Sequence, residues 1–205
     1  MSSDLFYHSE LTAAAGDAIG TTKFVGAGFL PNPGVPVLFH GIKGEQCQED
    51  DSPSWFNPVE AFHAVSYLRK VFELDSGGAQ VDPEDVGIVT PYRKQVDKIR
   101  RLVDALDLER VKVGTVEEFQ GGERDVIIIS TVKSGGGAGT RLGFMSSEKR
   151  FNVALTRAKA LLIVVGDPDV LCEESCWAAF VEYCRRNGCY TGCDTEELEP
   201  NATCT

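Results

Sequence analysis

Lys149 to Pro168 reads KRFNVALTRAKALLIVVGDP, and the fold is decided within it. Its second half, Leu161 to Val165, is an unbroken apolar run closed by Gly166-Asp167-Pro168. A short apolar run ended by such a turn is the pattern of a strand buried on both faces, and strands of that kind belong to parallel sheets covered by helices. Its first half, Asn152 to Lys159, is amphipathic and carries Thr156, Arg157 and Lys159. Basic side chains at the end of a short helix leading into that strand are expected at the rim of the sheet where open α/β folds bind ligands. Arg157 is then the candidate active residue. The alternative is a helix end whose cations are solvated and offset the helix dipole.

Outward from this strand the same alternation recurs. Val126 to Thr131 (VIIIST) is a strongly β-branched strand, Val111 to Val116 another, Val86 to Thr90 (VGIVT) a buried one, and Val35 to His40 (VPVLFH) a short one ended by Gly41. Asn57-Pro58-Val59-Glu60 supplies an N-cap Asn, a Pro at the first helical position and a Glu at the third. Phe62, Val65, Leu68, Val71 and Phe72 follow at helical spacing as the stripe laid on the sheet, and Gly77-Gly78 ends the unit. Thr90-Pro91 is expected to cap a second helix with Val96, Ile99, Leu102, Val103 and Leu106 on one face. A last helix around Cys176 to Arg186 ends at Asn187-Gly188.

Strands alternating with helices in this way predict right-handed βαβ units. The fold class is α/β, a mostly parallel sheet with helices on both faces. Residues 1–34 read as an irregular segment cut by Gly and Pro, 35–193 as the folded lobe, and 194–205 as an acidic tail. The run Ser134 to Gly139 (SGGGAG) reads as a flexible loop, because no helix start with Lys-Ser/Thr follows to make it a phosphate cradle.

The chain has 205 residues, enough for one domain with a sizeable core. Its 42% hydrophobic and 25% charged content is ordinary for a globular protein, with neither a membrane-length apolar run nor a signal-peptide pattern. An intracellular, cytoplasmic location is the expectation, with ribonucleoprotein granules as a further one. The 7 cysteines are odd in number and miss the paired CxxC spacing of zinc sites, and His8, His40 and His63 lie far upstream, so reduced thiols and no metal are expected. With 20 Lys+Arg against 31 Asp+Glu the formal charge is -11, the wrong sign for holding nucleic acid by bulk electrostatics. Any such binding has to be local or shared with another domain. Glu45 to Asp51 (EQCQEDD) and Asp194 to Glu199 (DTEELE) read as solvated acidic stretches.

Three ordered segments resemble superfamily 1 helicases of the Upf-like branch: Thr90-Pro91-Tyr92-Arg93-Lys94-Gln95, Gly114-Thr115-Val116-Glu117-Glu118-Phe119-Gln120-Gly121-Gly122-Glu123, and Arg150-Phe151-Asn152-Val153-Ala154-Leu155-Thr156-Arg157-Ala158-Lys159. They look like motifs IVa, V and VI of the second RecA-like lobe. Leu5-Phe6-Tyr7, Phe39-His40-Gly41, Ser52-Pro53-Ser54-Trp55-Phe56-Asn57, and Asn187-Gly188 with Tyr190-Thr191-Gly192-Cys193 are most similar to the Moloney leukaemia virus ten-like and Armitage RNA helicases of RNA silencing. The resemblance covers roughly residues 5 to 193. It implies a RecA-like lobe of P-loop NTPase type.

It also implies roles. Arg157 takes that of the arginine finger, supplied across a cleft to the γ-phosphoryl group of ATP. Glu123 matches the motif V glutamate that contacts the ribose, with Gln120 and Gly121 building the turn, and Gly122 departs from the larger polar residue usual there. Thr90, Pro91, Tyr92, Thr115 and Val116 match the family's platform for single-stranded RNA, which binds backbone phosphates with little base preference. Tyr92 stacks on a base or packs over the sheet end, and Arg93 and Lys94 read as a solvated helix face.

No GxxxxGK[ST] and no acidic box occur in the chain, so Mg²⁺ is expected on a first RecA-like lobe that this sequence lacks, and the chain alone is expected not to hydrolyse ATP. Partners implied are single-stranded RNA, that first lobe, and Argonaute-type silencing or RNA-decay proteins, with no membrane. A DNA helicase lobe of the same superfamily and a non-catalytic RecA-like interaction module remain the competing readings.

Overall fold

The structure, a computed structural model, describes residues 23–50, 52–74, 81–135 and 146–193. Leu5-Phe6-Tyr7, Gly77-Gly78, most of the glycine run after Ser134 and the acidic tail lie outside those residues. In chain order the elements are β1 (Val37–Gly41), β2 (Cys47–Gln48), β3 (Trp55–Phe56), α1 (Pro58–Phe72), β4 (Val86–Val89), α2 (Arg93–Asp104), β5 (Lys112–Gly114), β6 (Arg124–Ser130), α3 (Glu148–Leu155), β7 (Ala158–Gly166), α4 (Pro168–Leu171), α5 (Ser175–Arg186) and β8 (Tyr190–Gly192). Short 3-10 turns occupy Pro83–Asp85 and Glu117–Phe119.

The main sheet has six strands in the order β5-β4-β6-β7-β1-β8, and every pairing in it is parallel. β7 lies between β6 and β1, as its apolar run requires. Alternate side chains serve opposite faces: Leu161, Ile163 and Val165 join the cluster under α1 and α2, while Leu162 and Val164 join the cluster under α3, α4 and α5. β6 does the same with Val126 and Ile128 against Ile127 and Ile129. Each of these enclosed side chains contributes about 1.5–3 kcal/mol of burial. The expected α/β, RecA-like sheet with helices on both faces is what forms.

Several local expectations change. β7 starts at Ala158, ahead of its apolar run, because Arg124 N donates to Arg157 O at 2.9 Å and Arg124 pairs with Ala158. Lys159 is therefore an exposed strand residue and not the end of a helix. β5 is shorter than expected, since Val116 turns into the 3-10 segment. On α1 the inner line is Ala61, Ala64, Val65, Leu68 and Val71, and Phe62, expected on the sheet, is 63% exposed. Leu102 on α2 likewise points outward at 40%.

Thr90-Pro91 does not cap α2; Tyr92 does, with no side-chain cap bond. The missing acceptor comes from Ser54 Oγ, which takes the Lys94 N–H at 3.1 Å. Ser54 sits on the small antiparallel β2–β3 ribbon, unforeseen in sequence. Nor is the acidic stretch simply solvated, because Glu49 accepts from both Lys94 and Lys98 of α2. Ahead of Val35 the described residues 23–34 form turns and bends, and Phe24, Ala27 and Leu30 among them are part of the core. The described cysteines are all unpaired thiols, with Cys184 and Cys189 packed as small hydrophobes.

Because all six strands run the same way, the sheet has two chemically distinct rims. Residues that precede β6 and β7 gather at the N-terminal rim; those that follow β4, β5 and β6 gather at the C-terminal rim. Gln120 to Glu123 and Arg157 lie at the first. They are thus on the opposite side of the sheet from the carboxyl-end crevice where the sequence had put Arg157.

Candidate functional site

At the N-terminal rim, Arg157 occupies the two-residue link between α3 and β7. Its half-buried guanidinium spends its donors locally: Nε donates to Val153 O at 3.0 Å, Nη2 to Thr156 Oγ1 at 3.1 Å, and Nη1 to Gly122 O at 3.4 Å. Thr156 Oγ1 in turn donates to Asn152 O at 2.7 Å, closing the end of α3. The last of the arginine's bonds joins the candidate motif VI to the candidate motif V turn, so Arg157, Gln120, Gly121 and Glu123 are brought together.

Gln120, Gly121 and Glu123 are exposed. Gly121 has φ +78, a left-handed conformation that favours glycine, and it reverses the chain after Phe119. Phe119 anchors this turn by packing on Gly87 of β4, where a Cβ would stand 2.5 Å from the ring. At Gly122 a Cβ would meet only Phe119 O at 3.8 Å, so a larger residue fits there.

Beside this turn is a shallow cleft of about 190 Å³ lined by Val116, Glu117, Gln120, Lys149, Arg150 and Val153. Arg150 Nε bonds Glu117 Oε1 at 3.2 Å across it. Lys149, Arg150 and Arg157 bring cationic donors to this turn and cleft beside the carboxylates of Glu117 and Glu123, donors of the kind that suit a polyphosphate.

The C-terminal rim is built differently. Asn57, Glu60, Gln95 and Ser130 are fully enclosed. Asn57 Oδ1 caps α1 by accepting from Val59 N and Glu60 N, both at 3.1 Å. Its Nδ2 donates to Val132 O at 3.2 Å and Ser134 Oγ at 3.1 Å. Gln95 holds the Asn57 backbone at both ends, accepting from Asn57 N at 2.9 Å and donating to Asn57 O at 3.1 Å. Glu60 Oε2 accepts from Ser130 Oγ and from Val132 N, both at 2.8 Å.

Burial pushes the Glu60 carboxyl up to about 8, against the hydrogen bonds from Val132 and Ser130 that favour its charged form. Val132 has φ 75, a conformation a β-branched residue adopts at about 1–3 kcal/mol of strain. The network grips both its N–H and its C=O, and so fixes the direction in which the chain leaves β6.

The residues expected to bind RNA line this rim unequally. Tyr92 and Thr115 are half-buried and Thr90 and Pro91 enclosed, whereas Val116, also enclosed, turns away into the 3-10 segment and lines the cleft beside Gln120. Thr90 Oγ1 is buried with no hydrogen-bond partner. Thr115 offers its N–H to Glu118 Oε2 at 2.8 Å. Arg93 pairs with Glu118 at 2.8 Å and remains exposed, while Lys94 is tied to Glu49. Sequence reasoning passed over Lys133 and Trp55, which also come to this rim; a lysine directly after a β-branched strand and a lone Trp before a capping Asn were the available signals.

A family profile described as an AAA domain matches residues 1–169 of the chain. RNA helicase Mov10l1 of Homo sapiens is 50% identical over 196 residues, 94% of this chain and 16% of that protein. The chain belongs to the Upf-like superfamily 1 helicases. Within that helicase family it falls in the Moloney leukaemia virus ten-like and Armitage group. Putative helicase MOV-10 of Gallus gallus is 46% identical over 213 residues, 96% of this chain and 22% of that protein. Probable RNA helicase armi of Drosophila melanogaster is 42% identical over 172 residues, 80% of this chain and 14% of that protein. The chain therefore spans less than a quarter of the length of these helicases. No helix among the described residues is long and apolar enough to cross a membrane.

Proposed function

We propose that the chain is the second motor lobe of an ATP-dependent RNA helicase that translocates on and unwinds RNA, in RNA silencing or RNA decay. The observation that carries this is the 3.4 Å contact from Arg157 Nη1 to Gly122 O, which joins the two nucleotide motifs into one exposed rim while the strand platform lies across the sheet. The names of the relatives, RNA helicases in human and fly, support the RNA substrate.

In this reading ATP supplies the phosphoryl group that is transferred, with Mg²⁺ held by the first lobe. Arg157 trades its carbonyl acceptors for phosphate oxygens when the lobes close, a gain because charge-assisted bidentate bonds are stronger than bonds to neutral carbonyls. Glu123 accepts from ribose hydroxyls, and the Gln120-Gly121 turn sets its position. Across the sheet, Tyr92 and the Thr115 hydroxyl hold single-stranded RNA. Argonaute-type silencing proteins or RNA-decay proteins are the partners in this reading, in cytoplasm or ribonucleoprotein granules.

The test is RNA-stimulated ATP turnover by the full-length protein beside the 205-residue chain alone. Turnover is expected from the first and none from the second. Nucleotide-dependent phosphate release by the isolated chain, surviving repurification, contradicts the assignment of lobes.

A further inference from the structure

Lys133 leaves β6 immediately after the strained Val132 and is only 7% exposed. No carboxylate among the described residues pairs with it. Its Nζ lies 3.8 Å from the centre of the Trp55 ring and 5.6 Å from that of Tyr92. An ammonium held against aromatic rings loses part of its hydration, and with no carboxylate to meet it the cation–π contacts offset only part of that. Two hydroxyls on the same strand exits, Thr90 Oγ1 and Thr131 Oγ1, are also buried without a partner. The fold nevertheless invests in this placement. Glu60 and Asn57 clamp the N–H and C=O of Val132, and Gln95 with Ser54 fixes the Trp55 segment onto α2.

We propose that Trp55, Lys133 and Tyr92 form a clamp for one nucleotide of a single strand, Lys133 meeting its phosphate and Trp55 stacking on its base. This deepens the RNA reading above and rests on it. A phosphate supplies the anion that the Lys133 ammonium lacks. An aromatic face beside it takes any base, because every base has a π face. Trp55 is half-buried on the β2–β3 ribbon, so part of its surface meets solvent beside Lys133. The clamp adds a local cationic contact on a chain of net charge -11, so its contribution shows most at low salt.

The test is binding of an oligouridylate and of an abasic oligomer of equal length to the 205-residue chain at low salt. Tryptophan fluorescence is read as the difference from Trp55→Phe, since the other tryptophan, Trp177, is fully buried. The oligouridylate is expected to quench Trp55 and the abasic oligomer is not. Trp55→Leu should weaken oligouridylate about tenfold and leave the abasic oligomer unaffected. Lys133→Met, which keeps the aliphatic stem, should weaken both about fivefold and lower the salt slope by about one phosphate. Lys133→Arg, whose guanidinium also stacks on rings, should bind within about threefold of the parent, which keeps the idea testable if Lys133→Met melts early.

Binding by the parent with Trp55→Leu unchanged, or with the salt slope unchanged in a folded Lys133 variant, overturns the clamp and leaves the RNA reading standing. No binding of either oligomer by the parent at low salt also overturns the clamp, while the RNA reading fails only if RNA does not stimulate ATP turnover by the full-length protein.

Discussion

The two rims of one sheet are held by opposite means. At the N-terminal rim the important side chains are exposed or half-buried, and Arg157 is fastened by three bonds to nearby acceptors, two of them neutral carbonyls. At the C-terminal rim the important polar groups are fully enclosed and bonded to one another, and they hold a strained Val132 in place. The difference teaches what each rim can do. On the function proposed above, a group that reaches across a cleft is best kept by bonds that exchange easily, whereas a platform under a sliding strand is best fixed by a buried network.

The largest expected effect sits on the exchangeable side. In the full-length protein Arg157→Ala should lower kcat by on the order of 10³ or more, with a much smaller change in ATP binding. Arg157→Lys should rescue little, because a point charge does not reproduce the planar fork. Arg157→Ala should cost about 1–3 kcal/mol of stability, the worth of its three local bonds. Near-normal turnover in a well-folded Arg157→Ala protein breaks the comparison at once.

Next in size is the rigid side. Asn57→Ala removes the cap of α1 and leaves the buried Val132 carbonyl without its Asn57 partner, so urea unfolding should show a loss of about 2–4 kcal/mol. A loss under about 0.5 kcal/mol would mean the network does not hold the rim.

The pH dependence separates the rims further. Glu60 is raised from 4.5 to about 8 in the folded protein, chiefly by desolvation. The folded state therefore binds the proton more tightly than the unfolded state, and its contribution is fully present below about pH 4.5 and lost as pH rises through about 8. Melting temperature should fall across that window, and Glu60→Gln should flatten the fall. A parental profile in Glu60→Gln assigns the dependence elsewhere.

The smallest effect belongs to Glu49, whose carboxyl is lowered to about 2, first by the Lys94 hydrogen bond and then by that from Lys98. Its contribution exists above pH 4.5 and is lost as pH falls through about 2. The pair is solvent-exposed and screened, so Glu49→Gln should barely shift unfolding at neutral pH, and a large shift would make the β2–β3 ribbon part of the rigid network.

What the sequence revealed follows the same division. The buried strands were legible because apolar runs such as Leu161 to Val165 report burial directly, and α1 was legible because Asn57-Pro58-Val59-Glu60 is a local signal. The motif V and VI residues were legible as a group, but not their rim, since only the parallel strand directions reveal that residues before β6 and β7 lie opposite those after β4. Phe62 misled because Ala61 and Ala64, weak hydrophobic signals, take the inner line. The network of Asn57, Glu60, Gln95 and Ser130 was invisible because its tertiary bonds span 35 to 77 residues of chain. The same distance hid Lys133 beside Trp55.

The most direct test of two separable rims measures RNA affinity without nucleotide, and ATP turnover at saturating RNA, for Arg157→Ala and Tyr92→Ala of the full-length protein. The predicted result is crossed: Arg157→Ala loses turnover and keeps RNA affinity within about threefold, while Tyr92→Ala loses RNA affinity about tenfold and keeps most of its turnover. Equal loss of both properties in both variants would contradict the account.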